Sequence, residues 1–196
     1  MNHLANLLSE QDRHEEAEPL YRESLALRKM TLGAEHRDVA SSLSNLANLL
    51  QATGRCAEAE RLYRQSLKLR KKNYGPLHQN VAMCLSNLAI LMQNTGRNAQ
   101  AESHFQRALA VLEATVGSAH ELTAYTKANL ADFLRLTGRV AEAQPLAEEA
   151  CEDLRKKLPK GHRYVQWARD VLKNVLKSTN TPANIRRRRA SSNRKP

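Results

Sequence analysis

The feature that most constrains this chain is a five-residue phrase that returns every 42 residues without a gap. Leu46-Ala47-Asn48-Leu49-Leu50 precedes Gly54-Arg55, and equivalent phrases begin at Leu4, Leu88 and Leu130. A fixed period of about 20 to 50 residues is typical of repeat arrays, in which each unit buries its apolar face against its neighbours. We therefore predict an elongated array, although a length of 196 residues would also suit one compact domain.

Within each repeat the apolar residues follow helical spacing. Val39, Leu43, Leu46 and Leu50 form one stripe, and Gly54 supplies the left-handed position at which helices often end. Aromatic residues make up only 4% of the chain, so the predicted core consists mainly of Leu and Ala, which are strong helix formers. The sequence predicts an all-α fold with helices near 2–11, 15–31, 37–53, 57–73, 79–95, 99–115, 121–137, 141–157 and 163–178.

These residues carry a family resemblance. A helix pair with Leu-Ala in the first helix, Gly at the turn and Ala-x-x-x-Tyr in the second resembles the tetratricopeptide repeat. The repeat length and the phrases Tyr21-Arg22-Glu23-Ser24-Leu25 and Leu32-Gly33-Ala34-Glu35-His36-Arg37-Asp38-Val39-Ala40 resemble the longer variant of kinesin light chains and nephrocystins. The resemblance implies an α-solenoid, a right-handed superhelix of antiparallel helix pairs with about four and a half repeats.

The repeat register also predicts the domain organisation. We expect a repeat array over residues 1–178 and a basic, disordered tail over residues 179–196. The expected units are about 1–36, 37–78, 79–120, 121–162 and a capping helix at 163–178.

The family resemblance implies that the first helix of each pair lines a concave groove that binds a partner peptide. Asn45, Asn87 and Asn129 share one outward position, and an amide that both donates and accepts can pair with an extended backbone. Met83, Tyr125 and Trp167 are candidate apolar anchors. The full predicted groove set is Ser41, Ser44, Asn45, Asn48, Gln51, Met83, Ser86, Asn87, Ile90, Gln93, Asn94, Tyr125, Asn129, Asp132, Arg135, Trp167, Asp170 and Asn174.

The expected function is therefore a non-enzymatic, cytoplasmic scaffold or adaptor. The resemblance suggests kinesin light chain-like cargo transport or ciliary scaffolding as its setting. The alternative for the groove is that its polar side chains are only solvated and that the asparagines order the helices.

Residues that could carry chemistry have plain structural interpretations. His36, His78, His120 and His162 recur once per repeat, about one helix separation apart, too far for one metal ion, and we interpret them as turn or helix-start residues. No nucleophile–base motif and no phosphate-binding glycine loop is present in the sequence. We predict no catalytic residue, no metal site, no cofactor and no small-molecule substrate.

Cysteine usage and hydropathy indicate the broad class of protein. Cys56, Cys84 and Cys151 share no repeat position and fit neither a disulfide framework nor a zinc pattern, which suggests a reducing compartment. No apolar run is long enough to span a bilayer.

The net charge of +11 is concentrated at the carboxyl end. Six of the 31 basic residues follow Ala183 with no acidic residue among them, so the rest of the chain carries +5. Arg186, Arg187, Arg188 and Arg189 suggest an alternative function in the nucleus or on nucleic acid, or a purely solubilising role. Ser191 follows Arg-Arg-Ala, which resembles the motif of basophilic kinases.

The first repeat departs from the pattern. It starts inside its first helix, and Asp12-Arg13 replaces the Gly-Arg turn. An incomplete first helix leaves apolar surface uncovered, so we expect a regulatory module cut from a larger protein or self-association through this end.

Overall fold

The computed structural model describes residues 2–179, with the side chain of Asn2 excepted. The described residues form helices and turns without a strand. The helices are α1 (Asn2–Glu10), α2 (His14–Leu32), α3 (Arg37–Ala52), α4 (Cys56–Tyr74), α5 (Gln79–Asn94), α6 (Asn98–Thr115), α7 (Glu121–Leu136), α8 (Val140–Lys157) and α9 (Arg163–Thr179). Their bounds agree with the predicted bounds to within one residue, and the predicted all-α solenoid class is confirmed.

The chain divides into two compact units, Met1–Thr115 and Val116–Pro196. In the first unit, α1 with α2, α3 with α4, and α5 with α6 form helix pairs, and α2 and α4 also pack against the first helix of the next pair. In the second unit, α7 pairs with α8, and α9 packs against both.

Each core is built on small side chains where two helices approach each other. Ala59, Ala101 and Ala143 occupy one repeat position and are completely buried. Four residues later, Tyr63 and Phe105 fill the first unit, whereas the second unit has Ala147 there. In that unit the large ring comes from Phe133 on α7, where the first unit has Leu49 and Leu91. The aromatic ring has therefore moved to the other helix of the pair.

The turn within each pair is the same in all four cases. Gly54, Gly96 and Gly138 have φ between 73° and 81°, and Asp12 adopts the left-handed conformation with φ 58°. The following arginine donates its backbone N–H to the first helix each time, and Arg13 N lies 2.9 Å from Leu8 O. The turn is therefore kept although Asp12 replaces the glycine. Asp12 adopts a left-handed conformation that is unfavourable for residues with a side chain.

The repeated histidines begin helices, as the sequence indicated. The Nδ1 atoms of His36, His78 and His120 accept the backbone N–H two residues later at 3.2, 3.1 and 3.2 Å. His162 Nδ1 accepts from Tyr164 N at 3.2 Å in the same way. Each ring thus satisfies one of the unpaired donors at a helix start, as an Asp or Ser side chain would.

Arginines after the turn glycines join successive helix pairs in the first unit. Arg55 Nη1 donates to both carboxylate oxygens of Glu18, at 2.8 and 2.9 Å. Arg97 makes a two-pronged contact with Glu60, at 3.1 and 2.7 Å. The Glu60 side chain is only 13% exposed. The Arg97 hydrogen bonds lower the pKa of the Glu60 carboxyl, against its partial burial.

The cysteines are free thiols. Cys84 is buried and its Sγ lies 3.4 Å from Tyr63 O. Burial raises the pKa of the Cys84 thiol to about 11, so this cysteine is not a reactive thiolate at neutral pH.

Candidate functional site

The candidate face of the first unit is formed by α3 and α5, which contact each other. Asn48 is exposed, and Asn45, Gln51, Asn87 and Gln93 are half-buried. The other predicted members on these helices are also half-buried: Ser41, Met83 and Ile90.

A connected amide pair lies at the centre of this face. Asn87 Nδ2 donates to Asn48 Oδ1 at 3.4 Å, which is a long hydrogen bond between the two helices. The Tyr63 hydroxyl donates to the same Oδ1 and lies 3.2 Å from Gln51 Oε1. The Asn48 Nδ2 and Asn87 Oδ1 atoms make no hydrogen bond within residues 2–179, so an amino group and a carbonyl oxygen remain for a partner.

Asn48 also has a structural role that sequence reasoning missed. Tyr63 is only 1% exposed, and its buried hydroxyl requires an acceptor. Tyr21 has the same arrangement, since its hydroxyl donates to Asn6 Oδ1 at 2.7 Å. In both cases the Asn precedes the Tyr by 15 residues.

In the third and fourth repeats, both the Asn and the Tyr of this pair are replaced. Ile90 replaces the Asn where Phe105 replaces the Tyr, so the amide is absent where there is no hydroxyl to satisfy. Asp132 stands 15 residues before Ala147 and instead pairs with Arg135 at 2.7 Å. The signal that could have revealed this role is the joint change at a separation of 15 residues.

Three residues predicted to face outward are buried, and that part of the prediction is wrong. Ser44 is 6% exposed because its Oγ bonds the Oγ of Ser66 on α4 at 2.8 Å. Ser86 is 1% exposed on α5, and Asn129 is 5% exposed on α7. Ser44 is therefore covered by the second helix of its pair, whereas Asn129 is contacted by Trp167 of the following helix α9.

The face of the second unit is formed by α7 and α9, which also contact each other. The Tyr125 ring stacks on Tyr164 with centroids 4.2 Å apart, and the Arg163 guanidinium lies 5.2 Å from the Tyr164 centroid. Burial raises the pKa of the Tyr125 hydroxyl. Trp167 is 38% exposed, and its Nε1 donates to Asn129 Oδ1 at 2.9 Å. Asn174 and Asp170 are exposed on the same helix.

The described part of the chain offers neither a metal cluster nor a membrane-spanning helix. Within residues 2–179, no three His, Cys, Asp or Glu side chains are grouped so that they could hold a metal ion. No helix in that range is both long and apolar enough to cross a membrane. The tail residues Arg186 to Arg189 and Ser191 lie outside the described range.

Tandem antiparallel helix pairs with a polar face on their first helices define a repeat protein of the interaction-module class. The chain belongs to the tetratricopeptide repeat family, whose sequence profile matches residues 1–72, 38–114 and 80–156. This class is typically non-catalytic and binds other proteins.

Solved structures show the same fold. BtubC (BKLC) from P. vanneervenii is 24% identical, with a TM-score of 0.68 over 98% of this chain and 80% of that one. A putative kinesin light chain with nearly identical TPR-like repeats from Podosopora anserina is 23% identical, with a TM-score of 0.71 over 99% of this chain and 95% of that one. A point-substituted form of the latter is 22% identical, with a TM-score of 0.71 over 95% of this chain and 88% of that one. No curated protein gave a significant match.

Proposed function

We propose that this chain is a non-enzymatic adaptor. The faces formed by the first helices of its helix pairs bind an extended segment of a partner protein. The amide pair Asn48–Asn87 carries this proposal, because within residues 2–179 the amino group of exposed Asn48 and the carbonyl oxygen of half-buried Asn87 have no hydrogen-bond partner. An extended peptide presents backbone N–H and C=O groups that match such a pair without dictating sequence.

The second unit adds an aromatic element to the proposal. Trp167 and the stacked Tyr125–Tyr164 pair form a partly exposed aromatic surface. Aromatic side chains are enriched among residues that dominate binding energy, so we propose that this face takes an apolar side chain of the partner.

The fold likeness to a putative kinesin light chain makes cargo recruitment in the cytoplasm, or scaffolding in a cilium, the setting that we propose. The chain's own residues define the recognition chemistry, and the neighbouring structures supply only the fold.

The test is a displayed library of unstructured peptides selected on the full chain. Peptides that bind wild type should lose about tenfold in affinity in Asn45→Ala/Asn87→Ala, because the change removes Asn87 of the amide pair and the neighbouring amide of Asn45. Asn48 is kept because it accepts the hydrogen bond of the buried Tyr63 hydroxyl. Gln65→Ala/Gln100→Ala is the matched control, since both glutamines are exposed on second helices. Equal binding by both double variants, with unchanged circular dichroism, would refute the proposed face.

A further inference from the structure

The outer side of α9 shows an apolar stripe whose equivalents in the second, third and fourth repeats are buried. Leu172 and Leu176 occupy the register positions of Leu46 and Leu50, which are 1% and 0% exposed where α3 packs against α4. In the second unit, the register equivalents on α7 are also buried. Leu176 is 39% exposed and Leu172 is half-buried, since within the described range no second helix pairs with α9.

This uncovered stripe forms the floor of a groove between α8 and α9. The groove has a volume of about 730 Å³, and its apolar lining is Cys151, Val165, Leu172 and Leu176. An adjoining part of about 540 Å³ extends the floor to Leu158. The groove therefore occupies the place where the second helix of a fifth pair would lie.

The rim of the groove is strongly basic. Its five cationic side chains are Arg155, Lys160, Arg169, Lys173 and Lys177. None of the five forms an ion pair within residues 2–179, whereas the neighbouring Lys156 is neutralised by Glu152 at 2.6 Å. The acidic residues on the lining are Glu148 and Glu152, which both lie on α8. A row of unpaired cations beside an apolar floor selects for an anionic, amphipathic occupant.

The chain's own tail has the wrong chemistry for this position. The completely buried Ala143, Ala147 and Leu154 of α8 correspond in register to Ile185, Arg189 and Pro196. The run Arg186 to Arg189 would add like charge to a rim that is already basic. The exposed apolar helix α1 offers Glu10 as its only acidic residue, so a second copy is also a poor match.

We propose that this groove binds an acidic amphipathic helix of a partner protein. The helix lays its apolar side on Leu172 and Leu176 and its carboxylates against Arg155, Arg169 and Lys173. The partner thereby completes the fifth helix pair, at a surface whose lining residues are separate from the amide and aromatic faces described above.

The probe is a synthetic peptide based on α6. It keeps the buried residues Ala101, Phe105, Ala108 and Leu112 and carries glutamate at the exposed positions, and its counterpart carries lysine at the same positions. Anisotropy with the full chain should show binding of the glutamate peptide at least about tenfold tighter than of the lysine peptide, with a preference that weakens as salt is added.

Arg169→Glu/Lys173→Glu should reverse that preference, because both side chains line the groove. Arg61→Glu/Lys68→Glu, which changes the same charge at two exposed positions on α4, should leave it intact. Binding of neither peptide by folded protein, equal binding of both, or an unchanged preference in Arg169→Glu/Lys173→Glu would overturn the proposal.

Two further results would assign the groove to another occupant and also overturn the proposal. One is concentration-dependent self-association of the full chain that Leu176→Glu abolishes. The other is peptide binding that emerges only when Arg186 to Arg189 are replaced by serine in the full chain.

Discussion

Trp167 on α9 donates its indole N–H to Asn129 on α7 across 2.9 Å. Asn129 is 5% exposed, and its Nδ2 is buried without a hydrogen-bond partner among the described residues. The Trp167 indole therefore covers the Asn129 side chain and also donates the hydrogen bond that Asn129 Oδ1 accepts. This residue pair links the two helices that form the candidate face of the second unit.

Removing the indole donor should destabilise the second unit. Trp167→Phe keeps a ring but leaves both polar atoms of Asn129 unpaired, so the free energy of unfolding should fall by about 1–3 kcal/mol. Chemical denaturation of a double-mutant cycle with Asn129→Leu measures the coupling between the two residues. Additive effects in that cycle would show that the hydrogen bond contributes nothing.

The left-handed Asp12 offers a stabilising substitution. Asp12→Gly should raise the free energy of unfolding by about 1 kcal/mol, because glycine adopts φ 58° without the steric cost of a side chain. Gly54→Asp is the matched reverse change, since no heavy atom lies within 4 Å of an added Cβ there. It should destabilise by a similar amount in thermal or urea unfolding, and effects of the same sign in both variants would contradict the argument.

The ion pair between Arg97 and Glu60 should make the free energy of unfolding depend on pH in the acidic range. The pKa of Glu60 is lowered below its ordinary value of 4.5 in the folded state. The ion pair therefore contributes fully to the free energy of unfolding above pH 4.5, and this contribution is lost as the pH falls through the folded-state pKa. Glu60→Gln should lower the free energy of unfolding by about 1 kcal/mol at pH 7, with the difference from wild type shrinking below about pH 4.5.

Urea unfolding at neutral and acidic pH measures that difference. Glu113→Gln on α6 is the control, because Glu113 is exposed and has no ion pair within residues 2–179. A gap between Glu60→Gln and wild type that stays constant with pH would exclude ionisation of Glu60 as its cause.

Lys127 is a buried cation at a position where earlier repeats have Leu43 and Leu85. It is 4% exposed, and its Nζ bonds Ser118 O at 3.3 Å and Glu149 Oε1 at 2.5 Å. Lys127→Leu should leave stability unchanged or raise it by about 1 kcal/mol, because an apolar side chain avoids the cost of burying a charge.

Glu149→Gln should instead destabilise the protein by about 2 kcal/mol, since it removes the charge that balances the buried ammonium. Thermal unfolding of the two variants measures the contrast. Strong destabilisation by Lys127→Leu would show that the ion pair itself holds α7 and α8 together.

The helices could be predicted to within one residue because each signal occurs several times. Gly54, Gly96 and Gly138 all end a helix, and a histidine begins four of them. Local steric preference and apolar spacing act in the same direction at each of these positions, and repetition separates them from chance.

The candidate site was less predictable because burial depends on the partner helix. Ser44 and Asn129 satisfy a helical register that predicts an outward position, yet Ser66 and Trp167 cover them. The role of Asn48 depends on a hydroxyl 15 residues away on another helix. A stripe on one helix specifies a direction, whereas these contacts depend on which atoms meet across two helices.

The arginine bridges have a consequence for how such a chain changes in length. Arg55 meets Glu18 and Arg97 meets Glu60, each across 37 residues, so both junctions use the same two repeat positions. Excision of residues 37–78 would bring Arg97 into the register of Arg55 and thus opposite Glu18. Unequal recombination between repeats would therefore regenerate a matched junction. Repeats could be gained or lost while an Arg–Glu ion pair still joins the successive helix pairs.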